Sequence, residues 1–164
     1  MLCYGENNMT VYEKYYKNEE TVKMVDKYVS QGFSCAESTI RILMDVFGYE
    51  AEYEVFRMTS TFRGGAGIDG KCGIIEAALA FLSFISTEEE YKCTQEVLTE
   101  FSRELHRDMT EKFGGYQCDY LWNLFISQNQ DIDINRNVDC IIEEGIVLVV
   151  DSVHRIMERM KNVG

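Results

Sequence analysis

The sequence predicts an all-α fold, a compact single-domain helical bundle of about six to seven helices. Three observations carry that expectation. The 164 residues contain no proline, where average usage would give about eight, so the residue that breaks helices and stiffens turns is missing. Apolar residues recur in threes and fours along most of the chain, the period of one helix face. Glycines and capping residues fall where these runs stop and start. Hydrophobic residues make up 46% and charged residues 27%, an ordinary globular composition on a chain long enough to bury a core.

The elements follow in order. Residues 1–9 read as a frayed tail on a single domain spanning 1–164. A tyrosine- and charge-rich stretch leads into Val22, Val25 and Tyr28 or Val29 at helical spacing, and Gly32 closes that helix. Ser34 and Glu37 form a capping-box pattern at the start of the next one. Its face is Ala36, Ile40, Leu43 and Phe47, and Gly48 ends it. Residues 50–58 suit a short helix. A glycine-rich stretch follows, with Gly64, Gly65, Gly67, Gly70 and Gly73. Residues 74–85 are apolar nearly all round, as in the central helix of a bundle. Residues 88–113 read as one long amphipathic helix with Leu98, Phe101, Leu105 and Met109 as its seam, stopped by Gly114 and Gly115. A short helix over 117–127 and a polar loop over 128–137 come next. The last helix is expected over 139–161, with Ile142, Ile146, Val149, Val153, Met157 and Met160 facing inward. No strand is expected.

Charge and segment lengths restrict the function. The formal net charge is −12, which repels phosphate backbones and anionic membranes, so neither nucleic-acid binding nor membrane insertion is expected. The longest apolar run, 74–85, is too short to span a bilayer and contains Glu76. The chain start lacks the charged and apolar regions of a signal peptide, so a cytoplasmic location is expected. Six cysteines are many for a reducing compartment, where clustered thiols more often serve metal or redox chemistry than structural disulfides. Taken singly, each is equally a small buried hydrophobe.

Four of the six share one kind of position. Cys35 follows the cap Ser34, Cys72 follows the glycine-rich stretch, Cys118 follows Gly114-Gly115, and Cys140 follows Asp139, a good N-cap residue. All four fall near a predicted helix start, whereas Cys3 lies in the tail and Cys93 inside a predicted helix. Free N–H groups and the dipole at a helix N-terminus stabilise a thiolate, the form that acts as nucleophile and metal ligand, so lowered thiol pKa values are expected there. No Cys-x-x-Cys occurs, which excludes a zinc ribbon, a thioredoxin-type motif and the usual ferredoxin runs.

Glu76 stands four residues after Cys72, on the same helix face. It is a candidate to accept that thiol's proton or to ligate beside it. The plainer alternative is a carboxylate reaching solvent through a gap. Glu144 stands in the same relation to Cys140, where first-turn dipole complementarity is the simpler account. His106 and His154 read as surface residues. The glycines are candidates to cradle a bound group, with Gly64, Gly65, Gly67 and Gly73 as cofactor-binding positions. They lack the ending of a P-loop and no strand precedes them, so nucleotide binding is not expected. A duller role is a tight turn that lets backbone approach the cysteines.

The segment Gly32-Phe33-Ser34-Cys35-Ala36-Glu37-Ser38 resembles the first cysteine segment of the redox-active protein family named for its C-GCAxxG-C-C pattern. Phe62-Arg63-Gly64-Gly65-Ala66-Gly67 resembles that family's glycine-rich loop, and Cys72-Gly73 the start of its Cys-Gly-Ala-x-x-Gly motif. Phe113 to Cys118 and Asp139-Cys140 resemble its third and fourth cysteine segments. The resemblance covers roughly residues 20–160, in the family's order. Ile74 and Ala77 stand where the motif has alanine and glycine, and their bulk is expected to narrow any pocket beside Cys72.

The resemblance implies a redox role for the four cysteines without naming a substrate. Three functions remain open. One is thiol/disulfide exchange or electron transfer with an unknown redox partner, Cys35 and Cys72 being one candidate pair. Another is a binding module in which Cys35, Cys72, Cys118 and Cys140 hold an iron–sulfur cluster or zinc. The third is a non-catalytic helical interaction domain. A homodimer is compatible with each.

Overall fold

The computed structural model describes residues 18–50, 52–128 and 134–162; residues 18, 125, 126, 128 and 134–141 are described by their backbone alone. Seven α-helices are described: α1 (Asn18–Ser30), α2 (Cys35–Phe47), α3 (Tyr53–Met58), α4 (Gly73–Ile85), α5 (Gln95–Phe113), α6 (Cys118–Gln128) and α7 (Ile134–Met160). Among the described residues there is no strand, only an isolated antiparallel bridge between Lys71 and Gln117. The fold is all-α, as the missing proline and the helical period predict.

The capping box is present: the Ser34 hydroxyl accepts from Glu37 N–H while the Glu37 carboxylate accepts from Ser34 N–H at 3.0 Å. Gly48 takes φ 73° at the other end of α2, the left-handed conformation that glycine adopts without a Cβ clash. These two ends fix the length of α2 and leave Cys35 as its first residue.

Helix α4 is the centre of the bundle. It packs most extensively on α2 and also meets α5 and α7. Ile74, Ile75, Ala77, Ala78, Phe81, Leu82 and Ile85 are all buried, on more than one face, which a helix tolerates only when covered on several sides. Phe81 lies against Phe47 and Tyr49, with ring centroids 5.6 and 5.8 Å apart. Helices α5 and α7 bury Phe101, Leu105 and Met109 against Ile146, Val149, Val153, Met157 and Met160. At their rim Asp108 accepts from Ser152 Oγ at 2.7 Å and from Arg155 at 2.6 Å. Among the described residues no helix is long and apolar enough to cross a membrane.

Two boundaries differ from expectation. The stretch 88–113 is not one helix: Glu89–Tyr91 forms a 3-10 turn and α5 starts at Gln95, where the Thr94 hydroxyl accepts from Val97 N–H. Cys93 therefore lies just before a helix rather than inside one. The last helix starts at Ile134, not near residue 139, so Cys140 belongs to its second turn and not to its start. The tail 1–9 and Cys3 lie outside the described residues.

Candidate thiol site

Three helix N-termini meet at one end of α4. Cys35 is the first residue of α2, Cys72 is the N-cap of α4, and Cys118 is the first residue of α6. The bridge between Lys71 and Gln117 ties two of these starts together. Cys72 N–H donates to Tyr116 carbonyl and Cys118 N–H to Gly70 carbonyl, both at 2.9 Å. Residues alternate faces along paired extended segments. Lys71 and Gln117 are exposed, so Cys72 and Cys118 lie on the opposite face, Cys72 buried at 6% exposure and Cys118 half-buried.

Cys35 arrives from the other side. Its Sγ lies 3.2 Å from where a Cβ on Gly73 would sit, and the Phe62 carbonyl oxygen is only 2.8 Å from that point. Gly73 is thus needed for close approach, while its own φ is not in the left-handed range. The three sulfurs act on one another: Cys118 raises the pKa of Cys35, and Cys35 and Cys118 both raise that of Cys72. Cys35, Cys72 and Cys118 are free thiols.

The glycine-rich stretch is a left-handed turn. Gly64, Gly65, Ala66 and Gly67 have φ of 62°, 58°, 59° and 73° in succession. The turn is closed by Gly70 N–H donating to Gly65 carbonyl at 3.0 Å. Gly65 is pinched inside it: a Cβ there would meet Gly70 N at 2.4 Å and Cys118 Cβ at 3.0 Å. Of the four glycines expected to cradle a cofactor, Gly65 and Gly73 serve the approach of backbone to thiols, while Gly64 and Gly67 face open space. Ala66 has no such licence. Left-handed backbone costs a non-glycine residue about 1–2 kcal/mol, partly offset in an Ala-to-Gly change by the freer unfolded chain. Ala66→Gly should therefore raise the unfolding temperature by a few degrees, about 1 kcal/mol, in a thermal melt.

At the three described helix-start thiols the shift is opposite to the expected lowering. Burial pushes the Cys35 thiol up to about 11 and the Cys72 thiol up to about 12. The N–H groups of Ala36 act on Cys35, and those of Ile74 and Ile75 on Cys72, in the helix-terminus direction, and Arg63 also pulls Cys35 down. Desolvation wins because the thiolate would be stripped of water, a penalty larger than a few partial charges repay. Cys118 is less deeply covered; burial raises its pKa as well, followed by the carboxylates of Asp69 and Asp119.

Glu76 is half-buried on α4, and its Oε2 is shielded from solvent without a hydrogen-bond partner among the described residues. Ile74 reaches towards α7: its Cδ1 lies 2.9 Å from where a Cβ on Gly145 would be, so α7 meets it with a glycine. Cys140 lies five residues before Gly145 on that same helix, with its side chain outside the described residues. Glu144 pairs with Lys112 at 3.3 Å. Among the described residues no three of His, Cys, Asp or Glu are arranged to hold a metal ion.

His106 departs from its surface expectation. Its Nδ1 donates to Ser102 carbonyl at 2.7 Å, and its ring stands edge-on to Tyr116 with centroids 4.9 Å apart. Nε2 is buried without a partner among the described residues. The imidazole braces the residue whose carbonyl holds Cys72 N–H. Its i,i+1 relation to the seam residue Leu105 was the only hint in the sequence. His154 is half-buried too, and burial first of all lowers its pKa.

No curated protein and no solved structure matches the chain. The family described as "Putative redox-active protein (C_GCAxxG_C_C)" matches residues 33–151, which include Cys35, Cys72, Cys118 and Cys140 and most of the chain. The chain belongs to that family.

Proposed function

We infer that this protein is a two-electron thiol reductant that cycles between free thiols and a disulfide formed by Cys72 with Cys35 or Cys118. The observation that carries the reading is three free thiols from three helix starts held within one another's electrostatic field. Their raised pKa values give it a direction. High-pKa thiols are strong nucleophiles once ionised and poor leaving groups, so the disulfide they form is hard to reduce and the dithiol is the donor. Glu76, one turn after Cys72 with an Oε2 that has no partner among the described residues, is the candidate proton acceptor. Cys140 on α7 is the candidate fourth thiol. A reducing, cytoplasmic setting fits thiols kept in this state.

The test is intact mass under mild oxidation of protein purified without oxygen. The protein should lose two hydrogens reversibly, regained with a thiol reductant. Cys72→Ser should abolish that loss. Cys93→Ser should not, because Cys93 follows the far end of α4, about 20 Å away along a helix of this length. Oxidation that survives Cys72→Ser would sink the reading. An added native mass of zinc or an iron–sulfur cluster, lost in the Cys-to-Ser variants, would replace it with metal binding.

A further inference from the structure

Every large apolar side chain that the described residues leave exposed belongs to the elements around Cys118. They are Tyr53 at 65% and Met58 at 67% on α3, Ile68 at 81% on the left-handed turn, and Tyr120 at 40% and Trp122 at 41% on α6. These elements are contiguous: α3 meets the 3-10 turn Ser60–Phe62, that turn meets the left-handed turn, and the left-handed turn meets α6. Trp122 is four residues after Cys118, so the two share a helix face. Ile68 lies between Gly65, where an added Cβ would come within 3.0 Å of Cys118 Cβ, and Gly70, whose carbonyl accepts from Cys118 N–H. Exposed apolar patches of this kind mark contact surfaces, and tryptophan and tyrosine are frequent anchors in them.

The charge of this face narrows the occupant. Residues 52–71 and 118–128 carry Glu52, Glu54, Asp69 and Asp119 against Arg57, Arg63 and Lys71, a balance of −1 in a chain of −12. A strongly charged partner face would find little excess of countercharge here, and repulsion from the acidic remainder is weakest at this patch. The surface therefore suits a neutral, apolar rim. Cys118 is also the least covered of the three thiols.

We propose that Ile68 and Trp122 form a docking collar for a protein disulfide with an apolar, uncharged rim, and that Cys118 is the thiol it meets first. This rests on the thiol-reductant reading above. In the first step the Cys118 sulfur, as thiolate, attacks one partner sulfur. The partner S–S bond breaks, a Cys118–partner S–S bond forms, and the departing partner sulfur takes up a proton. In the second step Cys72, on the same face, attacks Cys118 sulfur. The mixed disulfide breaks, a Cys72–Cys118 bond forms, and the second partner thiol leaves with a proton. Two electrons and two protons pass from the pair to the partner.

The test compares two oxidants of the reduced full chain: insulin, whose interchain disulfides are exposed, and glutathione disulfide. Ile68→Ser and Trp122→Ser should each slow the insulin reaction about tenfold and leave the glutathione reaction within about twofold. Cys72→Ser should accumulate a mixed disulfide with insulin mapped to Cys118. Equal effects on both oxidants, no effect on insulin, or a trapped adduct at Cys35 would overturn the collar. So would a dimer in solution that Ile68→Ser splits, since the patch would then belong to a second copy. Failure of glutathione disulfide to remove two hydrogens from the unmodified protein would instead overturn the underlying thiol cycle.

Discussion

Gly65→Ala should cost roughly 2–5 kcal/mol and lower the unfolding temperature by about 10 °C. Two costs combine. Gly65 has φ 58°, which charges an alanine about 1–2 kcal/mol. The new Cβ would also stand 2.4 Å from Gly70 N, a contact with backbone and not with a flexible side chain. That nitrogen closes the turn by donating to Gly65 carbonyl, so relief requires opening the turn. Gly67→Ala separates the costs. Gly67 has φ 73° but nothing within 4 Å of its Cβ position, so it should lose only about 1 kcal/mol. Similar melting temperatures for the two variants would refute the packing part of the argument. Cys118 Cβ lies 3.0 Å from the same point, so Gly65→Ala should also change the reactivity of Cys118 while Gly67→Ala leaves it alone.

The parts of this architecture that were legible in the sequence are those set by local signals. The capping box of Ser34 and Glu37, the terminator Gly48 and the all-round apolar run 74–85 each specify their helix from within a few residues. The boundaries that were misread are those where local composition competes with a cap or with packing. Residues 88–113 carry a continuous helical pattern, yet Thr94 caps a new helix and wins. Residues 134–138 include Asn135 and Asn137, which favour loops in isolation, but the segment extends the long amphipathic frame of α7. Three of the four expected thiols converge, and their positions at helix starts could be read directly. Their ionisation could not. The helix-terminus effect is local and visible in sequence, whereas burial depends on how α2, α4 and α6 meet. The same holds for Ile74, whose partner Gly145 lies on another helix.

The raised thiol pKa values predict a steep pH dependence. A thiol of pKa about 11, as for Cys35, is ionised roughly a hundredfold less at neutral pH than one of ordinary pKa near 9. Alkylation of Cys35 in the folded protein should be slower by about that factor than in the unfolded chain, and should rise about tenfold per pH unit up to pH 10. Cys72, pushed up to about 12, should be slower still. Stability moves with the same groups. Their folded pKa lies above the unfolded one, so the folded state holds more protons between the two values. The contribution is fully present below about pH 9 and is lost as pH rises through about 11 to 12, on the order of 2–4 kcal/mol per thiol. Chemical denaturation at a series of pH values should show stability falling over that window, with a smaller fall in Cys72→Ser, which has no thiol to ionise at that position. Alkylation of Cys35 that is already fast at neutral pH and flat above it would mean that helix-terminus stabilisation outweighs burial. The protein would then be an oxidant, because a stabilised thiolate makes its disulfide easy to reduce, and the direction of electron flow argued here would reverse.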